Sequence, residues 1–480
     1  MSGSLLKNTL LYMPAQLLGP LLQFGVTIIW THLLAPADFG VVTFVVASQE
    51  IVALIGIAWW SIFVVRFQKR YAEGDAQRFR TMDARMVAYG AALQILLAAP
   101  TLLLVGVAPR PGIFAASAAY LVTRTLISHY SEWARSDHRI GIYTIAQLAG
   151  PAAGAAFSIA SILLIASDPA VVLAAMAAGQ AAGLVASLVG LRIRLRVGAI
   201  DSAILAEALR YGIPLIISGT LSWTAANGIR VLVEAREGLV GVGLFSAGWG
   251  LGQRLAVVLA MLCTAAAFPL AVERLESGDR RGALRQVAVN GALMLGLLAP
   301  ALAGVVVLSK PLVLLLIAPQ YQEVTILTLP LAMATSAARM MRTHLGDQTG
   351  LLLERTGWMT VFNFLDAFLS LVGGAIGVYK AGVIGAAVGC LIGAALGSVA
   401  SIAFTVFGLG LPIRLSVLAK ILFATAIMGA TLLALPMAGG FVSLAIRILL
   451  GIGVYAAATL AFFSEARAPL RKRLQRRFAG

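Results

Sequence analysis

Several arginines and carboxylates lie inside apolar runs of this 480-residue chain, where a charge needs a reason. Arg124 and Arg254 fall mid-run, Arg230, Arg339 and Arg342 lie nearer run ends, and Glu50 and Asp366 are the acids. A charge at the centre of a hydrocarbon layer costs about 2.5–3.5 kcal/mol on insertion scales, so such groups turn toward protein or water. The planar guanidinium fork matches two phosphate oxygens at once, which suits an arginine-lined wet cavity to phosphate. Polar side chains at helical spacing supply the wetting. Tyr12, Gln16, Gln23 and Thr27 share one face of the first run, and Thr220, Thr224 and Asn227 share one face of another. Hydroxyls and amides of this kind suit sugars. The candidate binding set is therefore Arg124, Arg254, Arg339, Arg230, Gln16, Gln23, Thr224 and Asn227, with Glu50 and Asp366 as ion-pair or ion-coupling groups. Glu50 and Arg124 lie at similar depth and could pair. Arg230 and Arg342, near their run ends, read more simply as side chains that snorkel to the interface.

No enzymatic pattern competes with this reading. The sequence has no GxxxxGK[ST] phosphate loop, and His32, His129, His138 and His344 are too scattered for an HExxH metal site. Cys263 and Cys390 sit in apolar runs and read as small packing residues, so neither cofactor nor metal is expected. Gly241, Gly243, Gly248, Gly250 and Gly252 resemble a nucleotide loop only in spacing, since no strand precedes them. Gly385, Gly389, Gly393 and Gly397 recur every fourth residue and predict a helix face made for close contact.

The elements that hold these residues follow from hydropathy. With 60% hydrophobic and 12% charged residues and a mean hydropathy of +0.93, most of the outer surface must face hydrocarbon. Runs of about twenty apolar residues occur near 8–32, 38–65, 86–108, 112–131, 142–167, 169–191, 210–233, 240–271, 286–317, 322–345, 358–379, 382–408, 417–436 and 441–463. The run 286–317 is interrupted by Lys310-Pro311 and reads as one long helix or as a helix plus a re-entrant piece. The fold class is an all-α polytopic membrane protein of about fourteen spans, the first of them retained rather than cleaved. Of 36 lysines and arginines, 28 fall on one side of this alternation and 5 on the other, which places both termini in the cytoplasm.

An internal repeat is visible at an offset near 200 residues. Gly40-Val-Val-Thr-Phe44 matches Gly241-Val-Gly-Leu-Phe245, and Tyr12-Met-Pro14 corresponds to Tyr211-Gly-Ile-Pro214. Parallel repeats of six spans are expected: an N-lobe 1–191, a basic connector 192–209, a C-lobe 210–408, appended spans in 409–466, and a basic tail 467–480.

The segment Thr31-His-Leu-Leu-Ala-Pro-Ala-Asp-Phe-Gly40 resembles the R-x-L-G-P-x-x-[FY]-G signature of Wzx-type polysaccharide flippases. Leu209-Arg-Tyr-Gly-Ile-Pro214, Phe268-Pro269 with Glu276-Ser-Gly278, and Leu316-Ile-Ala-Pro-Gln-Tyr321 match in order and spacing, across about residues 1–410. The sequence departs at Thr31-His32, where an arginine is common, and at Ala35, where glycine is usual. The resemblance implies the multidrug/oligosaccharidyl-lipid/polysaccharide (MOP) exporter superfamily, whose two six-helix lobes form a V around a cavity open to each side in turn. It implies movement of undecaprenyl-diphosphate-linked oligosaccharide to the periplasmic leaflet of the inner membrane, with membrane lipids, a polysaccharide polymerase and a chain-length regulator as partners. A lipid II flippase or a drug or metabolite antiporter of the superfamily is the alternative. A membrane glycosyltransferase or polymerase fits less well, because the outside loops are short.

Overall fold

Proline and aspartate mark where the helices begin. Pro36, Pro111, Pro169 and Pro319 occupy first turns, where a missing N–H costs nothing and φ is already helical. Asp168, before Pro169, and Asp201 and Asp279, before two further helices, accept first-turn N–H groups. The computed structural model describes residues 2–193, 198–355, 357–436 and 439–463, with 2–17, 72–76 and 264–268 by backbone alone.

Among the described residues there are fourteen membrane-length helices and no strand. They are α1 (Ser2–Leu33), α2 (Pro36–Tyr71), α3 (Gln77–Leu103), α4 (Pro111–Ser136), α5 (Ile140–Leu164), α6 (Pro169–Leu191), α7 (202–237) and α8 (239–276). The rest are α9 (Arg280–Leu316), α10 (Pro319–Leu352), α11 (357–380), α12 (383–408), α13 (Leu415–Ala434) and α14 (Phe441–Phe462). Ten continuous stretches are long and apolar enough to cross a membrane. Two of them reverse, at Gly238 and at Ala381-Gly382, where the glycines take φ of 65° and 56°, a region open to glycine without steric cost. α1 and α4 complete the set. The interrupted run resolves as one long helix, α9, with Pro300 and Pro311 inside it.

Contacts confirm both reversals. Along α11 and α12, Gly377 meets Gly385, Gly373 meets Gly389, and Leu369-Ser370 meets Gly393, so the pair runs antiparallel with backbones in touch. The four-residue glycine ladder expected from sequence is this seam. In the other reversal, Trp249 Nε1 of α8 donates to the Ala226 carbonyl of α7 at 3.2 Å. The signature segment has a mechanical sense here. Pro36 starts α2, Phe39 is fully buried, and a side chain at Gly40 would strike Leu239 and Gly243 of α8. The repeated Gly40 and Gly241 segments therefore touch.

The chain divides into two compact units, Met1–Gly250 with Gly357–Gly397, and Leu251–Thr356 with Ser398–Gly480. The first has a core of large aromatic residues, with Trp59, Trp60, Phe63, Phe79, Tyr130 and Trp133 packed together. The second is filled by smaller and more flexible groups, among them Ala256, Ala260, Met294, Leu298 and Met333.

Candidate functional site

The charged residues at membrane depth fall into three settings. Arg230, on α7, is only 4% exposed. Its Nη1 donates to the Asn227 side-chain oxygen, one turn back on the same helix, and its Nε donates to Ser246 Oγ of α8 at 3.2 Å. The reversal at Gly238 brings these partners together, because it lays α8 back along α7. Arg230 does not snorkel: its guanidinium is held inside the α7–α8 hairpin, and Asn227 is held with it. Thr224 lies one turn away and is half-buried.

Arg124, on α4, is half-buried, and its Nη1 is buried with no hydrogen-bond partner among the described residues. The adjacent Thr125 accepts from Gln49 Nε2 of α2 at 3.1 Å. That contact fixes the rotation of both helices. Glu50 is one residue, about 100° of helix rotation, past Gln49, and it is exposed rather than facing α4. No ion pair within 4.0 Å joins Glu50 to Arg124 among the described residues. Elsewhere along α2, Trp223 Nε1 of α7 donates to the Ala47 carbonyl at 2.8 Å. On α1, Gln23 is exposed, while Thr27 is buried and donates back to the Gln23 carbonyl at 2.7 Å. The Gln16 side chain, Arg194 and Arg196 of the connector, and the tail 467–480 lie outside the described residues.

Asp366 of α11 is 1% exposed and accepts from Ser370 Oγ at 3.0 Å. Gly397 of α12 packs on it, and three residues earlier Asn363 Nδ2 donates to Ser218 Oγ of α7 at 2.8 Å. In the second unit, Arg254 of α8 is half-buried. Arg339 and Arg342 of α10 are 8% and 4% exposed, so Arg342 does not snorkel either. The Arg342 guanidinium lies 3.9 Å from the Asp347 carboxylate, across a π-helical segment, Arg342–Asp347. Beside it, His344 Nδ1 and Gln348 Nε2 are 2.8 Å apart.

Sequence reasoning missed one buried cluster: Ser61 of α2, Asp83 of α3 and His129 of α4 form a connected hydrogen-bonded chain. These residues lie far apart along the chain and near the polar ends of their runs, where isolated polar side chains are commonplace. No spacing pattern marked them.

A buried arginine donor without a protein partner can engage an acceptor, a water or an anion alike. Residues 5–274, more than half of the chain, match the family described as "Polysaccharide biosynthesis protein". The chain belongs to that family. Its fold is shared with solved MOP-superfamily transporters. The lipid II flippase MurJ, in an inward closed conformation, superposes with a TM-score of 0.76 at 12% identity, covering 95% of this chain and 99% of that one. An inward-facing multidrug resistance MATE family transporter gives 0.63 at 14% identity, covering 81% and 93%. A MOP superfamily transporter from Pyrococcus furiosus gives 0.57 at 16% identity, covering 84% and 95%. No curated protein sequence matches the chain. At these identities the structural likeness carries the fold, and the family match carries the link to polysaccharide biosynthesis.

Proposed function

We propose that this polysaccharide biosynthesis protein flips an undecaprenyl-diphosphate-linked oligosaccharide from the cytoplasmic to the periplasmic leaflet by alternating access. The observation that carries the reading is Arg124, whose buried Nη1 has no partner among the described residues in a chain of this family. A diphosphate supplies the acceptors such a donor needs, and arginine can engage it bidentately. Arg254, half-buried in the second unit, is the corresponding group of the lobe 210–408. Arg339, Thr224 and Gln23 serve as further cavity groups, and Arg230 orders Asn227 rather than meeting substrate. Glu50 and Asp366 are candidates for ion coupling. The 28-to-5 distribution of basic residues supports an inner-membrane protein with both termini inside. A polymerase and a chain-length regulator would act on the delivered oligosaccharide.

The second reading is a lipid II flippase, favoured by the extent of the MurJ superposition. Lipid II carries the same diphosphate, so the arginines would serve equally. A drug antiporter for organic cations fits poorly, since deep arginines repel cations.

Complementation of a deletion strain tests the site. Arg124→Ala and Arg254→Ala should reach the membrane in normal amount and abolish polysaccharide export, and lysine at either position should restore it only in part. Full export by the double alanine variant would remove both arginines from the transport path. Accumulation of lipid II, rather than of lipid-linked oligosaccharide, in the deletion strain would select the second reading.

A further inference from the structure

At the end of the first unit where α2, α3 and α4 carry their basic residues, a fully internal hydrogen-bonded chain crosses three helices. Trp60 Nε1 donates to Asp83 Oδ1 at 2.7 Å. His129 Nε2 lies 3.2 Å from Asp83 Oδ1 and 3.4 Å from Oδ2. On the other edge of the ring, His129 Nδ1 and Ser61 Oγ are 2.7 Å apart, and Ser61 Oγ is also 3.2 Å from the Ile57 carbonyl. Asp83, His129, Ser61 and Trp60 are all buried, His129 at 1% exposure.

The bond inventory of this chain closes in two protonation states. With a neutral imidazole protonated at Nε2, the ring donates to Asp83, and Nδ1 accepts the Ser61 hydroxyl hydrogen. With an imidazolium, Nε2–H still donates to Asp83 and Nδ1–H now donates to Ser61 Oγ, whose own hydrogen turns to the Ile57 carbonyl. One hydroxyl rotation therefore accommodates one added proton, with no buried group left unpaired in either state. A purely structural histidine needs only one such arrangement. Ile57 belongs to a π-helical segment, Leu54–Ala58, a type of local distortion frequent at functional sites.

The chain also has a way to water. Asp83 lines a cavity of about 410 Å³ together with Arg80, Thr81, Trp133, Asp137 and Arg192. Trp133 Nε1 is buried without a partner among the described residues, and a polar cavity of this size holds waters that can accept from it. Ser61 lies at the opposite, deeper end. The hydrogen-bonded path therefore runs from a cavity at the basic end, through Asp83 and His129, to Ser61 inside α2.

We infer that Asp83, His129 and Ser61 form a proton-binding site, loaded from this cavity, with His129 Nδ1 as the atom that gains and loses the proton. Charged groups surround the ring: Glu132 acts on His129 from its own helix, and Arg80 and Arg192 share the cavity with Asp83. On α4, Glu132 pairs with Arg135 at 2.5 Å and Tyr130 packs edge-on against the His129 ring. Asp137 accepts from Gln68 Nε2 at 3.0 Å. From α7, Glu207 bonds Arg70 and Tyr71, and Arg78 pairs with Asp201 at 2.8 Å. α6 and the π-helical segment Ile145–Ala149 of α5 present no charged residue to the ring. That the proton drives a transport cycle rests on the flippase reading; that the site binds one does not.

The test uses the full chain in lipid nanodiscs, with 15N-labelled histidine. The His129 ring signals are assigned by their loss in His129→Gln. Between pH 8 and pH 5 the native signals should convert from a neutral Nε2–H ring to an imidazolium. In Asp83→Asn the imidazolium-to-imidazole ratio at a fixed pH should fall about tenfold, because the opposing carboxylate is gone. A His129 ring that keeps one protonation state across this range would overturn the site, as would a titration indifferent to Asp83→Asn. A second arm places a cysteine at Thr81, on the cavity rim, and follows its alkylation rate in chains lacking Cys263 and Cys390. Because the thiolate is the reacting form, the rate rises with pH in every chain; the ratio of the native rate to the His129→Gln rate should vary between pH 5 and pH 8, and a constant ratio would reject His129 as the responsible group. Neither arm requires substrate, so failure of the flippase reading would leave these outcomes standing.

Discussion

Two arginines of the first unit lie inside apolar runs and have opposite surroundings. In the α7–α8 hairpin, Arg230 has side-chain acceptors on both helices, Asn227 and Ser246. In the α2–α4 seam, the helices are joined by Gln49 and Thr125, and the neighbouring Arg124 keeps a buried nitrogen without a partner among the described residues. A buried charge with complete hydrogen bonds builds structure, whereas a buried donor held open is a cost to stability and an opportunity for a ligand. Position within an apolar run does not show which case applies. The partner geometry does.

The sharpest way to break the comparison is at Arg230. Arg230→Ala strands Asn227 and Ser246 and empties a packed site, so a loss of about 3 kcal/mol is expected, visible as reduced membrane yield and a lower unfolding temperature in detergent. Asn227→Ala should cost about 2 kcal/mol, since it leaves a guanidinium donor unpaired inside the hairpin; an unchanged unfolding temperature would mean that Arg230 readily finds another acceptor. Ser246→Ala removes a single bond and should cost about 1 kcal/mol. Thr125→Ala, which breaks the Gln49 contact, belongs at the same level. The smallest stability change is expected at Arg124, within about 0.5 kcal/mol of the native chain, although its effect on export should be the largest of the group. A strongly destabilised but still exporting Arg124→Ala variant would reverse the comparison, making the α2–α4 arginine the structural one.

The α11–α12 seam offers a control on reasoning from pattern alone. The glycine spacing at Gly385, Gly389, Gly393 and Gly397 was sufficient to expect a close helix contact, because a period of four keeps one face of a helix bare. The structure supplies the other half of the seam, Gly373 and Gly377, and the turn at Gly382 that allows it. The reading of Arg230 and Arg342 as snorkelling side chains failed for the converse reason. Distance from a run end measures reach to water along one helix, and it does not reveal whether another helix covers the side chain.

The sequence by itself determined the solvent and the helix count. Apolar runs of about twenty residues admit only helices in lipid, because every backbone polar group must be satisfied within its own segment. The aspartates and prolines that open these helices act through local bonds and fixed φ, so they too were legible. Tertiary structure alone decided which charges meet. The reversal at Gly238 gives Arg230 its partner on α8, the Gln49–Thr125 contact turns Glu50 away from Arg124, and the packing of α2, α3 and α4 assembles Ser61, Asp83 and His129. Hydrogen bonding is directional over about 3 Å, whereas hydropathy is read over tens of residues. A pattern along the chain can therefore fix where a side chain lies in the membrane, but only the packed helices fix what it touches.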